Sequence, residues 1–483
     1  MPLHLTVIGA GPGGYQAAVR AAQLGAQVSL VEASGVGGTC LHWGCIPTKA
    51  LQASALALLG ARRLGEFGIN LQGSLSPDLQ AIMARKDQVV GLQAQGLERL
   101  FEAHGIRLLK GRGRLLGPGL VGVELNAGGG EELACDRIIL ATGSRPADLP
   151  GLGRDGQYIL NSDDILRLKE IPESICIVGG GVVGCELAGI LAALGSRVTM
   201  VEALDRLLPM PSLEAEVSKL LLRELKKQRI TVHAGRVVSA LERDGQGLRL
   251  TLGHSPLLKT APAGPPLELR VERVLISVGR ALNSGGLGLA EAGVALDPRG
   301  GVVVDEHLQT TAPGVYALGD LLGPGRPMLA HMAGAEALVA AANALGGSEV
   351  VDYSVVPAAV FTMPEVAWVG LSPEQALAQG REARSAVFPF RLLGKSQAMG
   401  EIAGQCKLVY EPESLRLLGA HLIGPHAADL IHECALALRL GATVADLAHT
   451  IHAHPTLSEG LREAAEAALG QCLHLPPVKA GQA

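Results

Sequence analysis

The chain has 483 residues, of which 48% are apolar but only 2% aromatic, and its formal net charge is -5. At roughly 150 residues per domain this allows about three domains, with cores of Ala, Leu and Val rather than rings. The charge is mild and no basic block or tail is present, which argues against nucleic acid as a partner. No uncharged apolar run reaches the ~18 residues of a membrane span.

Met1 is followed almost at once by a strand-like run at residues 3–8. The expectation is a cytoplasmic enzyme with no signal or transit peptide before the fold. Residues 7–32, VIGAGPGGYQAAVRAAQLGAQVSLVE, then read as a buried strand, a glycine turn, a helix rich in Ala, and a second strand. In such a unit Gly9 allows the tight turn, Gly11 lets the backbone approach a pyrophosphate, and Gly14 lets helix and strand pack closely. The helix N-terminus offers N–H groups to the phosphate, and Glu32 can accept from ribose hydroxyls.

Next comes GGTCLHWGCIPTK, in which four residues separate Cys40 from Cys45. On one regular helix their Cα atoms would stand about 8–9 Å apart, beyond the ~7 Å limit for a disulfide. The backbone must therefore bend if the two are to join, and Gly37, Gly38 and Gly44 supply the freedom. So short a loop adds little as a staple, which favours a bridge that opens and closes over a structural one. The plain alternative is two buried thiols. The other six cysteines, Cys135, Cys176, Cys185, Cys406, Cys434 and Cys472, are scattered without a CxxC pair or zinc-type spacing and read as bystanders.

Residues 137–146, RIILATGSRP, read as a strand ending in a turn. Residues 177–202, IVGGGVVGCELAGILAALGSRVTMVE, repeat the first block without a gap at an offset of 170 (177 minus 7). Gly179, Gly181 and Gly184 match the three turn glycines, and Glu202 matches Glu32. One GxGxxG is weak evidence; two in the same context imply two dinucleotides. Glu202 would repel a 2′-phosphate, which favours NAD over NADP, although Arg206 stands close by. Residues 253–266, GHSPLLKTAPAGPP, read as a long exposed hairpin loop. VLISVGR (274–280) and VYALGD (315–320) read as segments leading out of the second block and into a further buried strand. From about residue 348, strand-like AAVFTMP, EVAWVG and CKLVYE alternate with helical DLIHECALALRL and LREAAEAAL, as in a separate α+β domain.

Together these motifs resemble the pyridine nucleotide–disulfide oxidoreductases nearly end to end, and among them the members that oxidise dihydrolipoyl groups. The carriers are GGTCLHWGCIPTK, VYALGD, the second glycine turn and HAHPTLSE at 452–459. The resemblance implies an α/β fold of two Rossmann-like dinucleotide-binding domains, for FAD and NAD, plus a C-terminal α+β dimerisation domain. Its boundaries are 1–147 for the first part of the FAD domain, 148–274 for the NAD domain, 275–347 for the second FAD or central part, and 348–483 for the interface domain. FAD would be held by Gly9, Gly11, Gly14, Glu32, Gly38, Thr39, Lys49, Gly113, Thr142, Gly143, Ser144, Asp320 and Ala330. NAD would be held by Gly179, Gly181, Gly184, Glu202, Val237 and Gly279. There are departures: His42-Trp43 replaces the usual Asn-Val, Met332 stands for Lys, and ALN at 281–283 replaces RPN or TPN. None removes a reacting group.

The implied cycle starts with a substrate thiolate attacking Cys40. A mixed disulfide forms, the second substrate sulfur closes the lipoyl ring, and Cys45 remains as thiolate against the flavin. Electrons then pass to FAD and, as hydride, to NAD. A thiol needs a base near neutrality, and His454, oriented by Glu459, is the candidate. In this family it comes from the partner subunit, so the active site needs a homodimer. The plain alternative for SEGLR is a helix cap. A metal set of His449, His452 and His454 lacks an acidic or Cys partner at metal spacing. Lys49 and Glu186 resemble the family's ion pair beside the flavin, or else form a structural salt bridge. The implied partners are lipoyl-bearing acyltransferase subunits of 2-oxo acid dehydrogenase complexes, or the lipoyl protein of glycine cleavage. The rivals are a glutathione- or trypanothione-type reductase, a mercuric-type reductase, and a silent flavin- or NAD-binding module.

Overall fold

The computed structural model describes residues 2–245, 247–259 and 264–476; part of the loop expected at 253–266, residues 260–263, lies outside them. The chain divides into two compact units. The first holds residues 1–156, 160–170 and 278–352; the second holds 157–159, 171–277 and 353–483.

The first unit is built on a seven-stranded sheet. Strand His4–Ile8 is the middle one of its five parallel strands, pairing with Gln27–Glu32 on one side (Val7 opposite Leu30) and with Arg137–Leu140 on the other. Val315–Ala317 and Arg107–Gly117 continue the parallel part outward, and Leu120–Leu125 and Gly130–Ala134 add an antiparallel flap. Leu5, Val7, Leu30 and Ile139 are fully buried. A parallel strand covered on both faces has no solvent side, hence its near-continuous apolar run. Chain order reverses at His4–Ile8, and in open α/β sheets the crevice beyond such a strand's C-terminal end is where ligands bind.

The second unit repeats the plan. Ser174–Val178, helix Val182–Leu194 and Arg197–Glu202 reproduce the strand–helix–strand block. The parallel strands run Thr231–Ala234, Arg197–Glu202, Ser174–Val178, Arg273–Ile276. A three-stranded antiparallel sheet is made by Arg236–Asp244, Gly247–His254 and Leu267–Val271, so the 253–266 segment does connect a hairpin. The same unit carries a five-stranded antiparallel sheet, Ala358–Val360, Glu365–Gly370, Leu417–Gly424, Gln405–Tyr410 and Arg384–Pro389. Phe388, Phe390, Leu408, Leu422, Ile431 and Leu461 share its core, the last two from helices Ala427–Leu440 and Glu459–Ala468.

Within this unit polar contacts join the nucleotide-type half to the C-terminal sheet. The buried Lys407 ammonium pairs with Glu214 and, at 2.7 Å, with Glu216, and Trp368 Nε1 donates to Ser212 Oγ at 3.0 Å. Removing one partner of so buried a pair strands a charge and costs about 3–5 kcal/mol. Among the described residues no helix is long and apolar enough to cross a membrane.

Candidate active site

The two cysteines sit on either side of a break between helices. Cys40 lies in the short helix Gly38–His42, and Cys45 is the first residue of the helix Cys45–Arg62. Trp43 and Gly44 make the break, Gly44 at φ -144° and ψ -111°. The bend expected from the spacing is present. A Cβ on Gly44 would lie 3.0 Å from the Thr39 carbonyl oxygen, so the kink is tightest at that glycine.

Gly37 and Gly38 both have positive φ, 93° and 56°. Gly37 N–H donates to the Ala10 carbonyl at 2.7 Å, and a Cβ on Gly38 would stand 2.6 Å from Gly11 Cα. The cysteine segment is thereby held against the first glycine turn. Cys45 is exposed and Cys40 half-buried. Hydrogen bonding to Cys45, then burial, pushes the Cys40 thiol far above its ordinary range, against the weaker opposing pull of the Lys49 charge. The pair's geometry therefore keeps a proton on Cys40. Cys45 occupies a helix N-terminus, where the dipole favours negative charge, and Lys49 lies one helical turn further on.

Both glycine turns show the same division of labour. Gly9 and Gly179 take φ of 101° and 111°, and a Cβ on either would lie 2.4 or 2.3 Å from the carbonyl oxygen of Ala141 or Ser277. On Gly14 and Gly184 it would lie 1.8 and 2.0 Å from the Gly9 and Gly179 oxygens. These four are required by the fold itself. Gly11 and Gly181 are not. A Cβ on Gly181 meets nothing within 4 Å, on Gly11 only Gly38 Cα at 4.0 Å, and their φ values of -76° and -67° suit any residue. Open space at the N-cap of each helix fits a pyrophosphate resting on the helix N-terminus. Gly181→Ala should thus leave the unfolding free energy within about 1 kcal/mol of the parent's, yet raise KM for NAD at least tenfold, about 1.4 kcal/mol. Unchanged KM would remove the nucleotide from this turn.

The acidic ends tie back onto the turns. Glu32 accepts from the amides of Ala10 at 2.7 Å, Ser34 at 2.8 Å and Gly35 at 3.2 Å. Glu202 accepts from Gly180 at 2.5 Å and Leu204 at 2.7 Å. Each carboxylate oxygen has two lone pairs, so both groups can still accept from a ribose hydroxyl. Arg206, the residue that left NADP open, turns its Nη2 onto the Met210 and Leu213 carbonyls, both at 3.0 Å.

Thr142, Gly143, Ser144 and Asp320 come together in the first unit. Ser144 Oγ donates to Asp320 at 2.5 Å, and Arg280 binds Ser144 Oγ at 2.5 Å and its carbonyl at 2.8 Å. Asn283 clasps Thr142, donating to its carbonyl at 2.9 Å while accepting from Thr142 Oγ1 on its own carbonyl at 3.0 Å. Arg280 and Asn283 were missed in the sequence; Asn283 was noted only as part of a departure. Thr39 Oγ1 reaches the Ser144 carbonyl at 3.4 Å, and Ala330 opens the helix Ala330–Ala344. Gly113 has a packing reason: its Cβ would press on Ile8 and Val31 at 3.0 and 3.2 Å. Val237 lies in strand Arg236–Asp244, while Gly279, at φ 124°, belongs to the first unit and accepts from the Ala147 amide. Trp43 is half-buried with its ring 5.2 Å from that of His42, and Met332 is buried.

In the second unit His454 Nδ1 meets Glu459 Oε1 at 2.9 Å, and the Thr456 amide donates to Glu459 Oε2 at 2.9 Å. His454 is 75% exposed and Glu459 11%. Burial alone would lift the Glu459 carboxyl, but the Thr456 amide and the His454 ring outweigh it and hold the group below its ordinary range. This carboxylate anchors the imidazole by Nδ1 and leaves Nε2 for proton exchange. Ser458 makes no side-chain cap on the helix that follows, so the capping alternative is not what the motif does. His452 spends both ring nitrogens inside the chain, on the Thr450 carbonyl at 2.8 Å and on Glu433 at 2.9 Å. Glu186, on helix Val182–Leu194, is buried and accepts from the Phe361 amide at 2.9 Å. Lys49 and Glu186 belong to different units.

A pair of thiols beside a dinucleotide turn, a second such turn and a carboxylate-held histidine define a flavin- and nicotinamide-linked thiol oxidoreductase. The chain belongs to the pyridine nucleotide-disulphide oxidoreductase family, whose profile matches residues 3–337, and it carries that family's dimerisation domain at residues 356–465. It is 41% identical over 475 residues, 98% of both chains, to the dihydrolipoyl dehydrogenase of Chlamydia muridarum. It is 42% identical over 472 residues, again 98% of both, to that of Thermus scotoductus. Among solved structures, LpdA from Mycobacterium tuberculosis superposes with a TM-score of 0.86 at 28% identity, covering 96% of this chain and 99% of that one. The cofactors are FAD and NAD, and the open second glycine of each turn fits them.

Proposed function

We propose that this protein is a dihydrolipoyl dehydrogenase, which oxidises dihydrolipoyl groups to the cyclic disulfide and passes the electron pair to NAD. The observation that carries the reading is the Cys40–Cys45 pair held against the first glycine turn by Gly37 and Gly38. The names of relatives at about 40% identity over the whole chain support the substrate.

Bound FAD and NAD supply two-electron acceptance and hydride carriage. The chain supplies the thiol chemistry. A substrate thiolate attacks the Cys40 sulfur of the disulfide, the S–S bond breaks, and Cys45 leaves as thiolate at its helix N-terminus. His454 of the partner subunit removes the proton of the second substrate thiol. That sulfur attacks the substrate sulfur of the mixed disulfide, the ring closes, and Cys40 leaves and takes up from solvent the proton that the first substrate thiol released on ionising. One proton ends on His454 and one on Cys40. Glu459 holds the imidazole and balances its charge. Lys49, one helical turn beyond Cys45, favours the thiolate there, and the glycine-turn, Thr142–Ser144 and Asp320 groups hold the nucleotides.

With this reading go a homodimer, a cytoplasmic location and a division into the four segments 1–147, 148–274, 275–347 and 348–483. Its natural partners are lipoyl-bearing acyltransferase subunits of 2-oxo acid dehydrogenase complexes or the lipoyl protein of glycine cleavage. The purified yellow protein should reduce NAD with dihydrolipoamide faster than it reduces glutathione disulfide with NADPH. The reverse order of rates would overturn the assignment.

A further inference from the structure

Cys472 was read as a bystander, yet it sits in a cluster that the redox reaction does not use. Glu463 and Glu466 lie three apart on helix Glu459–Ala468 and so share a face. The chain reverses at Gly470, φ 70°, where the Gln471 amide returns to the Glu466 carbonyl at 2.8 Å. The tail then runs back along that face. Cys472 Sγ comes to 3.1 Å from Glu463 Oε2, and His474 Nδ1 to 2.8 Å from Glu463 Oε1. One ligand atom each from Glu463, Glu466 and Cys472 lies within 4.8 Å of the others.

We propose that Glu463, Glu466, Cys472 and His474 form a zinc site that fastens the C-terminal tail to the last turns of this helix. Three features point to a divalent, borderline-soft cation. The donors are a thiol, an imidazole and two carboxylates, a set that suits zinc and not the all-oxygen cages of calcium or magnesium. Glu463 is buried and gathers the group, since Cys472 Sγ meets one of its oxygens and His474 Nδ1 the other. The charge also balances: Arg462, at 3.3 Å from Glu463 and 3.5 Å from Glu466, offsets one of the two carboxylates. Once Cys472 gives its proton to solvent and binds as thiolate, the cluster carries two net negative charges.

The dimerisation profile ends at residue 465, before Cys472 and His474. The opposite end of the same helix begins at Glu459, which anchors His454. A metal here would stiffen the element that sets the histidine without touching reacting atoms.

The test uses the full-length FAD-loaded protein with Cys40→Ser and Cys45→Ser, so that the redox pair cannot take the metal. After chelator treatment, zinc sulfate is titrated in, and zinc content and the zinc X-ray absorption edge are measured. One zinc per chain is expected, with a single sulfur neighbour at about 2.3 Å. Cys472→Ser and Glu463→Gln should each weaken binding at least tenfold. Should Glu463→Gln not fold, Cys472→Ser alone decides. A zinc shell without sulfur, equal binding by the Cys472→Ser variant, or no retained zinc would overturn the site.

Discussion

Cys45→Ser abolishes turnover with dihydrolipoamide, lowering kcat by at least about a thousandfold, while FAD stays bound. The roles of the two sulfurs differ, and the geometry says how. Cys40 keeps its proton because it hydrogen-bonds to Cys45 and is partly buried. Cys45 stands exposed at the start of an 18-residue helix, with Lys49 one turn along. The negative charge of the reduced pair therefore belongs on Cys45. The long-wavelength absorbance that a thiolate gives against flavin should vanish from the reduced Cys45→Ser protein and survive in Cys40→Ser. A band that persisted without Cys45 would reverse the two roles.

His454→Gln should slow turnover by roughly 10²–10⁴-fold, the usual contribution of a positioned general base, with FAD content unchanged. Glutamine keeps the shape and a hydrogen bond to Glu459 but cannot take the proton of a substrate thiol. Because Glu459 is held below the ordinary carboxyl range, it remains a carboxylate beside the imidazole throughout the neutral region. Glu459→Gln should thus act through His454, lowering the apparent pKa of the kcat profile because imidazolium loses its counter-charge. A near-parent rate in His454→Gln would end its assignment as the base.

The parts of this site that are local in sequence are legible there. Glycines at the first, third and sixth positions of a six-residue stretch dictate a turn whatever lies elsewhere, so both nucleotide turns could be read directly. The spacing of Cys40 and Cys45 likewise forces a kink. Contacts between distant segments are a different matter. Arg280 and Asn283 hold Ser144 and Thr142 across more than a hundred residues, and no periodicity marks them. A single sequence also gives no reason to distinguish Gly11 and Gly181 from the other turn glycines; only the open space beside them does. The meeting of Cys472 with Glu463 depends on a chain reversal at Gly470, which spacing alone does not reveal.

The central claim is that electrons enter through the Cys40–Cys45 bond. The FAD-loaded protein, treated anaerobically with one equivalent of dihydrolipoamide and no NAD, is quenched, alkylated and mapped by mass spectrometry. The account predicts that Cys40 and Cys45 pass from a disulfide to two alkylated thiols on the same peptide, and that adding NAD before the quench restores the disulfide. An intact Cys40–Cys45 bond in protein that has nevertheless oxidised the substrate would contradict it.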